Sequence, residues 1–454
     1  MNPFLRTCVL ATTASSSLLL SPAALAADPT ELEARIDALE SAAADLRRQS
    51  EEMAAALQAA RAEIARLQEA AATPPAAPAA EPFAPPPPLP PPTTSTAASA
   101  NAFNPAISLV LNGEYAHHSL DPESYARAGF PLAGEAGPGA DGLSLGETEI
   151  ALSANIDDRF YGQVTLAVES EDGEDELGIE EAFIDASGLP GGVLLRAGRF
   201  FSNIGYLNNH HTHTDSFPDR PLPYQAFLGN HYIDDGVQLR WLAPTDLFLE
   251  LGGELLRGQS FPAGGASHDG VGATTVFAHA GGDVGLEHSW LAGISVLDTE
   301  VTDGEDGFAG DARLWIADFT WKWAPDGNLA DGGVQVRGEW IRDEREGVFI
   351  DADDPTLVEA WDGTRHGAYL EGVYRFDRRW EAGYRYDWLR ADRDGPVASE
   401  FDPDRHGVVL TWRNSEFSLV RLLLSRDRPN PDDTDTALLL QYQAALGAHG
   451  AHKF

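Results

Sequence analysis

From about residue 105 to Phe454 the chain alternates short turns with long polar loops, set between segments of alternating hydrophobicity. Alternation of apolar and polar residues with period two marks strands that have two unlike faces. Tight turns on one side and long loops on the other are the signature of a β-barrel that crosses a bacterial outer membrane. About sixteen such segments are predicted, from 105–117 and 144–156 through 416–426 to 434–446. After the even-numbered segments the turn is short, as at Asp157-Asp158, Pro244-Thr245, Gly282-Asp283, Asp377-Arg378 and Arg413-Asn414. After the odd-numbered ones come longer polar loops, among them 118–143, 201–232, 344–363 and 393–402. A soluble sandwich has no reason to sort its connections by parity. The fold class predicted is all-β, a transmembrane antiparallel barrel of about sixteen strands over residues 104–454.

The period-2 pattern also assigns faces. In 379–390, Trp380, Ala382, Tyr384, Tyr386 and Trp388 share one side, while Arg379, Glu381, Gly383, Arg385 and Asp387 share the other. A barrel this wide encloses an aqueous lumen, so the charged side is expected inside and the apolar side against lipid. The predicted pore-lining residues are Glu250, Glu254, Arg337, Glu339, Glu371, Arg375, Arg379, Glu381, Arg385 and Asp387. Glu147, Glu149, Glu181 and Asp318 fall on inferred lumen faces as well. Trp241, Phe248, Trp321, Trp323, Phe376, Trp380, Trp412 and Phe417 recur beside the short turns and are read as an interfacial aromatic belt.

Three segments precede the barrel. Residues 1–26 read as a signal peptide: Arg6, an apolar run through Leu18-Leu19-Leu20, and the small-residue site Ala24-Leu25-Ala26. The only cysteine, Cys8, lies within it. Residues 30–69 read as a coiled coil, with Leu32, Ile36, Leu39, Ala43, Leu46, Ser50, Met53, Leu57, Ala60, Ile64 and Leu67 in one seam. Such a helix would be roughly 55 Å long and would favour a homo-oligomer through residues 32–67. Residues 70–103 form a Pro/Ala/Thr-rich linker, extended because proline excludes helix and ladder alike.

Acidic residues outnumber basic ones by 71 to 31, which argues against nucleic acid as a partner. The implied partners are the outer membrane with its lipopolysaccharide, and the barrel-assembly machinery through the terminal Phe454. The longest loop, 201–232, holds His210-His211-Thr212-His213-Thr214-Asp215. Imidazole nitrogens with a carboxylate suit Zn²⁺, so His210, His211, His213 and Asp215 are candidate metal ligands. Asp219, Arg220, Tyr224 and His231 of the same loop are candidate constriction residues. Ser216 is too close in sequence to His213 and Asp215 to suggest a catalytic triad, and no enzyme is predicted.

This architecture resembles the phosphate-selective and sugar-selective trimeric porins. That resemblance implies a homotrimer and an inward-folded loop after the fifth strand, here 201–232. Phosphate porins line their constriction with arginine and lysine, whereas this chain has only Lys322 and Lys453. The runs Asn104-Pro105-Ala106-Ile107-Ser108, Arg199-Phe200-Phe201-Ser202-Asn203-Ile204-Gly205-Tyr206-Leu207-Asn208, Asp235-Gly236-Val237-Gln238-Leu239-Arg240-Trp241 and Leu446-Gly447-Ala448-His449-Gly450-Ala451-His452-Lys453-Phe454 are similar to a further family. Its outer-membrane proteins are often labelled zinc-regulated or TonB-dependent receptors. A porin-like channel for small hydrophilic solutes is the leading expectation. The alternatives are an outer-membrane receptor for a divalent metal such as zinc, and a barrel that anchors an envelope tether.

Overall fold

The computed structural model describes residues 105–447, apart from 135, 172–173, 266–269 and 352–355. The signal peptide, coiled coil, linker and Phe454 lie outside the described residues. The strand segments are β1 Ala106–His117, β2 Gly142–Leu145, β3 Thr148–Asn155, β4 Phe160–Glu171, β5 Glu174–Leu189 and β6 Val193–Phe201. They continue as β7 Ile233–Leu242, β8 Phe248–Leu256, β9 Ala273–Val284, β10 His288–Val301, β11 Phe308–Trp323 and β12 Gly333–Ile350. The last are β13 Val358–Asp377, β14 Trp380–Arg390, β15 Asp404–Ser415, β16 Ser418–Arg428 and β17 Asp435–Gly447. Each from β3 onward pairs antiparallel with its successor, and β17 returns to pair with β1, from Ser108↔Gly447 to His117↔Leu438. β2 and β3 both pair with β1, so they are one strand interrupted at Gly146-Glu147, and the closed barrel has sixteen strand positions.

The faces follow the alternation. Leu239, Ile294, Phe319, Leu370, Tyr384, Leu410 and Tyr442 are exposed on the outside, as a lipid-facing surface requires. Trp380 and Trp412 lie directly opposite one another beside a short turn, with ring centroids 6.4 Å apart. Phe248 departs from the expected belt. It pairs with Gly281, which pairs with Leu291, on the same face as Glu250 and His279. An even spacing from the inward Glu250 and Glu254 puts it on the lumen side.

Two connections differ from expectation. Residues 344–363 form no long loop, because β12 and β13 run on to the pair Ile350↔Val358. Beyond the bilayer both strand faces are wet, so hydrophobic alternation disappears while the hydrogen-bond ladder continues. The turn expected at Gly282-Asp283 falls at residues 285–287, since Gly282 and Asp283 stay paired with Trp290 and Ser289. A Gly-Asp pair reads as a turn in sequence, but a glycine opposite a tryptophan can remain in a ladder.

Among the described residues the largest apolar core lies inside the barrel. Residues 202–232 fold into the lumen and carry the helix α1, Leu222–Leu228, all seven residues of which are buried. Ile204, Leu207, Leu222, Phe227 and Leu228 pack with inward-facing Leu297, Leu314, Ile316, Ile341 and Leu389 of the wall. Phe130, from the loop after β1, joins this core, its ring edge-on to Phe227 at 5.7 Å. Gly134 and Gly229 make the approach of the two loops possible: a Cβ on Gly134 would stand 3.0 Å from the Gly229 Cα. Gly229 also ends α1 at φ 57°, the left-handed cap that glycine takes without strain.

Candidate functional site

The first stretch of the plug is fixed by two buried carboxylates. Glu254 accepts from the Ser202 hydroxyl, from Asn203 N at 2.8 Å, from Gln238 Nε2 at 2.7 Å and from Thr275 Oγ1 at 2.6 Å. Glu339 accepts from Tyr206 N at 2.8 Å, Leu207 N at 3.1 Å, the Tyr224 hydroxyl at 2.9 Å and the Tyr369 hydroxyl at 2.7 Å. Four donors apiece compensate a charge removed from water. Gly205, at φ 64°, lets the chain pass this close: a Cβ there would lie 2.5 Å from Glu339 Oε2.

A wall of arginines runs from β12 to β16. Arg337 faces Glu371 at 3.2 Å and lies 4.3 Å over the Tyr206 ring. Arg375 and Arg413 both bond Glu381. Arg385 and Arg405 hold Asp219 of the plug at 2.8 and 3.1 Å and also contact Asp387. Within the plug, Arg220 pairs with Asp215 at 3.2 Å and donates to Leu207 O and His210 O.

The opposite side of the plug meets β3 to β5 through ionisable groups. His211 Nδ1 is 3.1 Å from Glu149 Oε1, and its Nε2 is 3.2 Å from Glu181 Oε2. His213 Nδ1 is 3.0 Å from the same Glu149 oxygen and 3.9 Å from Glu147 Oε2. Glu147 also accepts from the Thr212 hydroxyl and from His213 N at 3.0 Å. Two strand irregularities concentrate these carboxylates. Glu147 sits in the break between β2 and β3. In β5 the register slips between Thr165↔Glu181 and Leu166↔Ile179, leaving Glu180 as an extra, unpaired residue. Such a bulge re-aims side chains, and here Glu180 and Glu181 both face the imidazoles. Glu180 Oε2 comes within 3.3 Å of His211 Nδ1.

Two of the plug's imidazoles, His211 and His231, are pushed apart. Burial alone would lower His211, but the neighbouring Glu149 charge, with bonds to Glu149, Glu180 and Glu181, raises it well above the ordinary imidazole range. Burial, with Arg220 and His211 adding their charges, takes His231 down to about 3.

Among the described residues, Glu147, Glu149, His211 and His213 bring one ligand atom each within 4.8 Å of one another. The sequence picks out two of these four. His210 instead stacks on Tyr206 and bonds its carbonyl, and Asp215 pairs with Arg220. The Glu-x-Glu at 147–149 and the Glu180-Glu181 pair are the signals that complete the cluster, 62 to 66 residues and about 30 residues away from the histidines. Of the predicted lining, Glu371, Arg375, Glu381, Arg385 and Asp387 face inward in the arginine wall. Glu254 and Glu339 lie beneath the plug and hold it. Arg379 is exposed in the tight turn before β14. Tyr224 is buried in the plug core, and His231 packs edge-on against Phe201 at 5.1 Å.

No family model matches the chain. A protein of Aquifex aeolicus (strain VF5), described as uncharacterized, is 28% identical over 391 residues, spanning 78% of this chain and 81% of that protein. Among solved structures the chain is similar to OmpF of Salmonella typhi in complex with daunomycin, with TM-score 0.50 and 13% identity, covering 76% of this chain and 99% of that one. The outer membrane channel DcaP of Acinetobacter baumannii gives 0.48 and 10%, covering 75% and 97%. The likeness to OmpF is one of fold, a closed antiparallel barrel. The zinc-regulated and TonB-dependent label finds no counterpart in these comparisons.

Proposed function

We propose that the protein is an outer-membrane channel for small hydrophilic solutes, with residues 202–232 as the element that shapes the path. The observation that carries this reading is the charge division of the lumen. On one wall arginines 337, 375, 385, 405 and 413 outnumber their partners Glu371, Glu381 and Asp387, and the Glu147, Glu149, Glu180 and Glu181 carboxylates line the other, with the plug between them. Opposed charges across a wet lumen act on polar solutes and deter apolar ones. Single-channel recording of the purified, folded protein in planar bilayers tests the proposal. Discrete conductance steps are expected, and their absence overturns it.

A second reading concerns the acid–imidazole cluster, which could hold a divalent transition metal. Ligand atoms around a tetrahedral Zn²⁺ lie about 3.3 Å apart, given bonds of about 2.0–2.1 Å. The separations of 3.0, 3.1 and 3.9 Å among Glu149, His211, His213 and Glu147 bracket that spacing. Imidazole nitrogens favour zinc over calcium or magnesium. Calorimetric zinc titration of the natural chain against the His211→Ala/His213→Ala variant separates the outcomes. Equal binding by both removes the metal from this site.

A further inference from the structure

A cavity of about 510 Å³ lies under the plug on the short-turn side, between residues 203–210 and the wall of β7 to β11. Its size is that of a small-molecule site. Asp318, on the lumen face of β11, is one of its lining residues and is only 6% exposed. Neither carboxylate oxygen of Asp318 has a hydrogen-bond partner among the described residues.

The neighbours leave it so. Asp318 pairs across the ladder with Glu339, which carries the same charge and is already engaged by four donors. On its other side it pairs with Gly293. A Cβ on Gly293 would stand 2.2 Å from Asp318 Oδ2 and 2.5 Å from His279 Cδ2, so this glycine is what lets the carboxylate lie over β10 towards His279. Of the other acids lining the cavity, Asp283 is exposed to solvent, and Glu250 is compensated by Arg240 at 3.6 Å, His279 at 3.5 Å and Asn203 at 3.1 Å. The cavity therefore holds one buried carboxylate without a counter-charge. Around it stand Phe248, Leu291 and the stacked Tyr206–His210 pair, whose centroids are 4.6 Å apart.

A carboxylate beside aromatic and aliphatic walls suits a cation that also carries carbon. A metal ion suits it less: among the described residues the convergent ligand set is the cluster around His211, on the far side of the plug. We propose that this cavity binds a small organic cation, an amine or guanidine, with Asp318 as its counter-charge. This deepens the channel reading by giving a solute class, and it rests on that reading for its physiological role.

Agmatine titration of the full-length protein in detergent tests it, with glutarate as an anionic control. Saturable agmatine binding is expected, weakened by about tenfold or more in Asp318→Asn, as expected for loss of a charge-assisted hydrogen bond. Phe248→Ala, at a wall position that is itself 42% exposed, should also weaken binding while leaving the barrel folded by circular dichroism. No saturable binding by the natural chain, equal affinity for glutarate, or unchanged affinity in a folded Asp318→Asn protein overturns the proposal. Conductance recorded on the same preparation keeps the two readings apart. A conducting protein that ignores agmatine removes the cation site alone. A protein that binds agmatine without conducting removes the channel alone.

Discussion

The two flanks of the 202–232 plug are held by different physics. Towards β10–β14 the plug is welded by apolar packing, with Leu314, Ile316, Ile341 and Leu389 against α1 and its neighbours, and by the four donors on Glu339. Towards β3–β5 it touches the wall through His211 and His213 against Glu147, Glu149, Glu180 and Glu181. The first flank rests chiefly on burial and close packing, with the Asp219–Arg385 pair at its edge. The second is a contact between ionisable groups, His211 and His213 with Glu147, Glu149, Glu180 and Glu181, whose strength depends on their protonation. The lesson is that one loop can be permanent on one side and adjustable on the other.

The largest expected effect comes from cutting the permanent flank. Glu339→Leu leaves four donors without their acceptor and should loosen the plug by about 3 kcal/mol or more. Larger, noisier conductance and new protease cleavage within 202–232 are the readouts, and unchanged recordings would locate the weld elsewhere. Next is the adjustable flank. Zinc at a hundred times its dissociation constant should stabilise the natural chain by about 2.7 kcal/mol, and Glu149→Gln should abolish most of that gain. Thermal unfolding with and without zinc measures both, and an equal zinc shift in the variant would break the contrast. Gly205→Ala should cost about 1–3 kcal/mol, because its Cβ meets Glu339 Oε2 and its φ disfavours a side chain. Thermal unfolding without zinc reads that loss. Arg379→Ala should change stability by less than about 0.5 kcal/mol and leave ion selectivity intact, since this residue sits in an exposed turn. Reversal potentials in a salt gradient check the second half of that statement.

The barrel itself is legible in the sequence because strand period and loop parity are local properties. Every predicted strand within 105–446 overlaps an observed one. The interior is much less legible. Period two says that Leu314, Ile316 and Ile341 share a face with Asp318 and Glu339, but it cannot say that an apolar plug waits there to cover them. The histidine cluster is visible as a cluster. Its partners are not, because the carboxylates that meet His211 and His213 come from β3 and β5 and from the break before β3, and which imidazole turns towards them depends on the path of the loop. Phe248 is the reverse case: its even spacing from Glu250 and Glu254 already assigns it to the lumen side, against the aromatic belt.

The extra residue at Glu180 bears on how barrels of this kind diverge. Substitution alters what a wall position is, whereas inserting one residue alters which way the following positions point. Here the neighbouring strand absorbs the insertion between Thr165 and Leu166, and regular pairing resumes on either side. A single added codon can thus give a lumen a second acid while every lipid-facing position of the strand keeps its place. An extra residue inside a strand is then a route by which a barrel wall acquires new chemistry without losing its ladder.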